Sequence, residues 1–68
     1  MKSYFAHETS VIDSGCTIGE GTNIWHFSHV MSNCAIGKAC NIGQNVVVYP
    51  EVILGKKNYF RRNYNILT

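Results

Sequence analysis

Every sixth residue of this chain, counted from Ile12, is a β-forming aliphatic: Ile12, Ile18, Ile24, Val30, Ile36, Ile42, Val48 and Leu54. Ile, Val and Leu make up about a fifth of the sequence, so eight in one phase would arise by chance roughly once in 10⁵ trials. The step continues less cleanly to Phe60 and Ile66. A second column, two residues earlier, is small or β-branched throughout: Ser10, Cys16, Thr22, Ser28, Cys34, Cys40, Val46 and Val52. A third, one residue later, reads Asp13, Gly19, Trp25, Met31, Gly37, Gly43, Tyr49 and Gly55, half of it glycine.

Residues two apart in a strand face the same side, so each aliphatic and its small predecessor point inward together. Glycines of the third column are expected to supply the tight-turn angles of the corners. Three short strands then close a triangular coil of eighteen residues, and successive coils stack at about 4.8 Å. The spacing predicts columns of like residues: Ile12 over Val30 over Val48, Ile18 over Ile36 over Leu54, Ile24 over Ile42. The expected fold is therefore all-β, a single-stranded parallel β-helix of about three coils. No helical period competes between Val11 and Leu54.

A chain of 68 residues buries limited apolar surface, which favours oligomerisation. The formal charge of +2 is too small to argue for nucleic acid. No apolar run approaches the roughly 20 residues of a membrane span. The opening Met1-Lys2-Ser3-Tyr4-Phe5-Ala6-His7-Glu8 lacks the long apolar segment of a secretory signal, making the cytoplasm the expected compartment. Cys16, Cys34 and Cys40 match neither a CxxC nor a zinc-finger layout and read as small interior fillers.

Ile18-Gly19, Ile36-Gly37, Ile42-Gly43 and Leu54-Gly55 resemble the hexapeptide-repeat family, and that resemblance implies a left-handed coil. Within it, Tyr4 to Asp13, Ile18 to Val30 with its Trp25-His26-Phe27-Ser28-His29 run, and Ile42-Gly43-Gln44-Asn45-Val46 resemble bacterial N-acetyltransferases of UDP-linked amino sugars. The likeness is above all to enzymes that acetylate the 3-amino group of a UDP-2-acetamido-3-amino-glucuronate in O-antigen synthesis, and it covers residues 1 to about 55. It implies a homotrimer with acetyl-CoA as cosubstrate between neighbouring β-helices, a UDP-sugar acceptor, no metal, and no nucleic-acid or membrane partner. Those enzymes are considerably longer, so the chain reads as an acetyltransferase or a truncated remnant of one. The alternative is a non-catalytic trimeric scaffold that lacks the CoA surface.

Alternation points His29 outward, where an imidazole can serve as general base for an amine attacking a thioester. His26 lies at a corner one coil above Gln44, so the two can share a ligand. His26 and His29 are the catalytic candidates. Trp25 and Phe27, with Asn45 below Phe27, and the outward pair Asn23 and Asn41 complete with Gln44 the expected substrate contacts. The plainer reading of each is subunit packing or a surface ladder. His7 is expected to make a capping hydrogen bond, and Glu20, Lys38 and Lys56 a surface charge ladder. A zinc site of His7, His26 and His29 is the weakest reading.

Three segments are expected: residues 1–10 as an N-terminal cap, 11–55 as the repeat, and 56–68 as a divergent basic tail. The tail carries Lys56, Lys57, Arg61 and Arg62 without an acidic residue. It reads as a truncated end, or else as a cap or partner-binding strand.

Overall fold

A computed structural model describes residues 3–67. The chain is a left-handed parallel β-helix made of nine strands: β1 (Phe5–Ala6), β2 (Val11–Ile12), β3 (Thr17–Ile18), β4 (Asn23–Ile24), β5 (His29–Val30), β6 (Ala35–Ile36), β7 (Asn41–Val48), β8 (Ile53–Leu54) and β9 (Tyr59–Ile66). Every pairing is parallel and joins residues eighteen apart, as in Ile12↔Val30, Ile18↔Ile36, Ile24↔Ile42, Val30↔Val48 and Ile36↔Leu54. The expected columns are therefore the observed ones. The first face stacks β1, β4 and the start of β7, and the second stacks β2, β5 and the end of β7. The third face is the separate sheet β3-β6-β8. Because β7 runs through one corner unbroken, the first two faces form a single sheet, and β9 pairs beneath β7 along its length. Pairing in this register extends from Phe5 to Ile66.

Inside, Ile24, Val30, Ile42, Val46 and Val48 are wholly inaccessible. The small column has a role beyond fitting the prism. Five of its six polar members donate to the carbonyl fifteen residues on: Cys16 to Met31, Thr22 to Gly37, Ser28 to Gly43, Cys34 to Tyr49 and Cys40 to Gly55, while Ser10 donates to the His7 carbonyl. The Thr22 and Ser28 hydroxyls also accept from the backbone N–H groups of Cys40 and Val46. A buried backbone group without a partner costs about 1–3 kcal/mol, so this ladder lets the chain turn corners inside an apolar prism. Among the described residues no buried side-chain nitrogen or oxygen lacks a hydrogen bond. The three cysteines are free thiols, and burial pushes the Cys34 thiol above its ordinary value of 9.0.

The corner glycines do something different from what their position suggested. Gly19, Gly37 and Gly43 are not the left-handed residues. They are glycine because the next coil approaches too closely for a Cβ: one on Gly19 would lie 2.5 Å from the Gly37 carbonyl carbon, and one on Gly43 would strike the Arg61 carbonyl. Left-handed φ falls two residues later, at Gly15, Gly21, Phe27, Asn33, Ala39, Asn45, Glu51, Lys57 and Asn63. That is again every sixth residue, and only the first two are glycine.

Candidate active site

The corner between the first and second faces gathers a cluster of aromatic and amide side chains. The β4 register sets Asn23 above Asn41, and Trp25 just past β4 donates its indole N–H to the Asn41 side-chain Oδ1 at 2.9 Å. Trp25 packs on Phe5 with ring centroids 5.2 Å apart and lies nearly parallel to His26. His26 in turn stacks on His7 at 3.7 Å. The Thr9 hydroxyl lies 2.9 Å from His7 Nδ1 and accepts from the Phe27 N–H. The Thr9 N–H also donates to that nitrogen. His7 thus anchors the corner from the coil above, in keeping with its expected hydrogen-bonding role.

Beside this cluster lies an open cleft of about 310 Å³ lined by Trp25, His26, Asn41, Gly43, Gln44, Arg61 and Arg62. Four expected substrate or catalytic residues meet here: Trp25, His26, Asn41 and Gln44. Phe27 and Asn45 stand on the adjoining ridge, joined by the Asn45 N–H donating to the His26 carbonyl, and Phe27 is 64% exposed. Asn23 lies one coil above Asn41 and does not line the cleft. Arg61 and Arg62, which the sequence reading left in the tail, complete the cleft. The signal was available in the eighteen-residue step: Arg62 falls beneath Gln44, which falls beneath His26.

His29 is outside the cleft, on the second face. Its Nε2 is 3.0 Å from an Asp13 carboxylate oxygen, with both side chains a little over a third exposed. A carboxylate only accepts, so with neutral imidazole Nε2 carries the proton and Nδ1 keeps a free lone pair. That is the arrangement of an oriented general base, and Asp13 was not foreseen as its partner.

Two other readings, the disfavoured zinc site and the charge ladder, do not assemble. Stacked face to face, the in-plane lone pairs of His7 and His26 do not converge, and no group of three metal-ligating side chains forms among the described residues. Glu20 sits above Lys38 and Lys38 above Lys56 at one corner, as the Ala39-to-Glu20 and Lys57-to-Lys38 backbone bonds require. Among the described residues, however, no carboxylate–ammonium pair there closes to 4.0 Å. No helix among the described residues is long and apolar enough to cross a membrane.

Comparison with known proteins agrees with this architecture. Residues 15–50, just over half the chain, match the family described as bacterial transferase hexapeptide (six repeats). The chain is also similar to acyl-(acyl-carrier-protein)–UDP-N-acetylglucosamine O-acyltransferases of Brucella ovis, Brucella canis and Brucella abortus. Each is 34% identical over 67 residues, covering 81% of this chain and 24% of the relative. The chain thus spans about a quarter of the length of the curated relatives it matches. With eighteen-residue coils, the interior aliphatic column and the matched repeats all in agreement, the chain belongs to the bacterial transferase hexapeptide family.

Proposed function

We propose that this chain forms the nucleotide-sugar side of an acyltransferase site, which carries an acyl group from a thioester to a UDP-linked amino sugar. The carrying observation is the composition of the corner cleft. Two guanidiniums suit a diphosphate, the Trp25 and His26 rings suit a stacked uracil, and the Asn41 and Gln44 amides can satisfy polar edges of base or sugar. The related Brucella enzymes are named for an acyl-carrier-protein donor and a UDP-N-acetylglucosamine acceptor. The finer reading here is acetyl-CoA as donor and a sugar amine as acceptor, within a cytoplasmic homotrimer.

In that reaction the acceptor lone pair attacks the thioester carbonyl, and His29 Nδ1 takes the acceptor's proton. The Asp13 carboxylate steadies the imidazolium that results. Collapse of the tetrahedral intermediate breaks the carbon–sulfur bond, and the departing thiolate recovers the proton from His29. His29 and the cleft lie on different sides of one corner, so the donor approaches over the second face, where a neighbouring protomer packs in the trimer.

Titration calorimetry with UDP, uridine and CoA tests this reading. UDP should bind at least tenfold more tightly than uridine, and Arg61→Ala with Arg62→Ala should remove that advantage. Equal affinity for UDP and uridine would refute it. The second reading is a trimeric scaffold that has no donor surface. In that case UDP would bind while CoA would not.

A further inference from the structure

One hydrogen bond in the corner cleft fixes which way an amide faces, and with it what the cleft can read. Asn41 Oδ1 accepts the Trp25 indole N–H at 2.9 Å. An asparagine amide can usually turn over and exchange its oxygen for its nitrogen. Here it cannot, because an indole N–H only donates and would then face a second donor. Nor does the amide join a ladder with Asn23, stacked on it one coil above. Among the described residues its Nδ2 donates to no protein acceptor. Asn41 lines the cleft, so it offers the cleft a hydrogen-bond donor and not an acceptor. Resting on the nucleotide-sugar reading of this cleft, we propose that Asn41 determines its specificity for the base. Its Nδ2 donates to O4 of uracil and rejects cytosine, which carries an amine at that position.

The roof of the cleft is aromatic. Trp25 and His26 lie within 9° of parallel, and each is backed on one side, Trp25 by Phe5 and His26 by His7. Their remaining faces border the cleft, where a planar base can stack. Asn41 belongs to the coil below and reaches up to the indole edge. Coils are about 4.8 Å apart, so its amide crosses the level at which a base stacked beneath the indole would lie.

Orientation along the cleft follows from the pairing of β7 with β9. Asn41 pairs with Tyr59 and Gln44 with Arg62, so both guanidiniums lie toward the corner and Asn41 toward the middle of the first face. Asn41 and Gly43, which sits over Arg61, are about 6.6 Å apart along the strand. With its diphosphate at the arginines, a nucleotide extends its base away from the corner, toward Asn41. In a pyrimidine nucleotide C4 lies across the ring from N1, the atom bonded to ribose. The edge farthest from the diphosphate therefore carries the group at C4, a carbonyl oxygen in uracil and an amine in cytosine. An amine set against Nδ2 leaves two donors facing each other without an acceptor. O2 lies beside N1 in both bases, so a contact nearer the ribose, such as one from Gln44, meets the same atom in each.

The test is titration calorimetry with UDP and CDP, read as the ratio of their affinities, for wild type, Asn41→Asp, Asn41→Ala and Gln44→Ala. Both nucleotides carry the same diphosphate, so the contribution of the arginines cancels from the ratio. Wild type should bind UDP more tightly than CDP by about tenfold or more. Asn41→Asp keeps an acceptor for the indole N–H but removes the donor, and a carboxylate accepts from the cytosine amine, so the preference should vanish or reverse. The chain has one tryptophan, so fluorescence reports whether Trp25 keeps its setting in that variant. Asn41→Ala, a second route should Asn41→Asp fail to fold, should also erase the preference. Gln44→Ala should weaken both nucleotides and leave the ratio at its wild-type value. Wild type that binds UDP better than uridine but no better than CDP would overturn the proposal and leave the diphosphate reading intact. Folded Asn41 variants that keep the preference would overturn it as well, and so would its loss in Gln44→Ala. If wild type binds neither nucleotide, the nucleotide-sugar reading itself fails and this inference falls with it.

Discussion

The corner between the first and second faces recurs from coil to coil, and two successive turns build it in two ways. In the upper turn the small-column residue is Ser28, whose hydroxyl donates to the Gly43 carbonyl and accepts from the Val46 N–H, and strands β4 and β5 are two-residue segments on either side. One coil below, the same place holds Val46, which can do neither. There the strand does not stop: β7 continues through the corner and pairs with β9 at Gln44↔Arg62 and Val46↔Tyr64. A buried corner thus satisfies its backbone either with a side-chain hydroxyl or with a continued ladder. The choice is written in a single residue of the small column.

The largest expected effect comes from removing the room the lower turn needs. Gly43→Ala drives a methyl into the Arg61 and Phe60 carbonyls, and backbone cannot swing aside as a side chain can. A loss of about 3 kcal/mol or outright unfolding is expected. Gly55→Ala is the matched control, because a Cβ there meets nothing within 4 Å, and it should change stability by less than about 0.5 kcal/mol. Urea unfolding of both variants makes the comparison, and equal losses would show that close approach is not the reason for these glycines. Next in size is Ser28→Ala. It strips partners from two buried backbone groups, for an expected loss of about 2 kcal/mol with the m-value unchanged. A loss below about 0.5 kcal/mol would mean that the upper turn can adopt the lower turn's solution.

Much of this was legible before any coordinates, for a definite reason. An interior column in a stacked coil meets only its own kind, so Ile12, Val30 and Val48 carry the period undiluted. The left-handed column does not. Its positions face solvent, where Phe27, Ala39, Glu51 and Lys57 are as acceptable as Asn33, Asn45 and Asn63. The φ signal is therefore spread over unlike residues, and the glycines two residues earlier drew the inference instead. The site divides along the same line. His26 over Gln44 followed from the step of eighteen, and the outward direction of His29 from the alternation along a strand. The Asp13–His29 pair did not, because its partners come from different columns, sixteen residues apart. Arg61 and Arg62 escaped because the tail breaks the small and glycine columns while β9 keeps the pairing register.

The cysteines ask whether a thiol acts as the hydroxyl does. Cys34 Sγ donates to the Tyr49 carbonyl at 3.0 Å, the bond Ser28 makes to Gly43 in its own corner. Cys34→Ser should keep that bond and stay within about 1 kcal/mol of wild type, while Cys34→Ala should lose about 1 kcal/mol. Burial raises the Cys34 pKa in the folded state, so its thiol form is favoured by folding. That contribution is fully present below the unfolded pKa and is lost as pH rises through the folded value. Stability should therefore fall more steeply above pH 9.0 in wild type than in Cys34→Ser, as read from urea midpoints across the alkaline range. Parallel pH profiles would show that the Cys34 thiol is not held protonated by the fold.

The smallest effect is the one that separates strain from recognition at this corner. Phe27 sits at φ 58° in the upper turn where Asn45 sits at φ 56° in the lower. A bulky side chain pays more than asparagine for that conformation. The Phe27 ring is mostly exposed and its nearest aromatic neighbour, His26, is 6.4 Å away, so little packing offsets the strain. Its N–H bond to the Thr9 hydroxyl survives any substitution other than proline. Phe27→Asn should therefore stabilise the fold by about 0.5 kcal/mol and at the same time weaken UDP binding if the ring helps hold the base. A variant that is both more stable and a poorer UDP binder would mean the corner retains a strained aromatic for its ligand. A stabilised variant with unchanged UDP affinity would assign Phe27 to subunit packing, and loss of stability would show that the ring supports the upper turn after all.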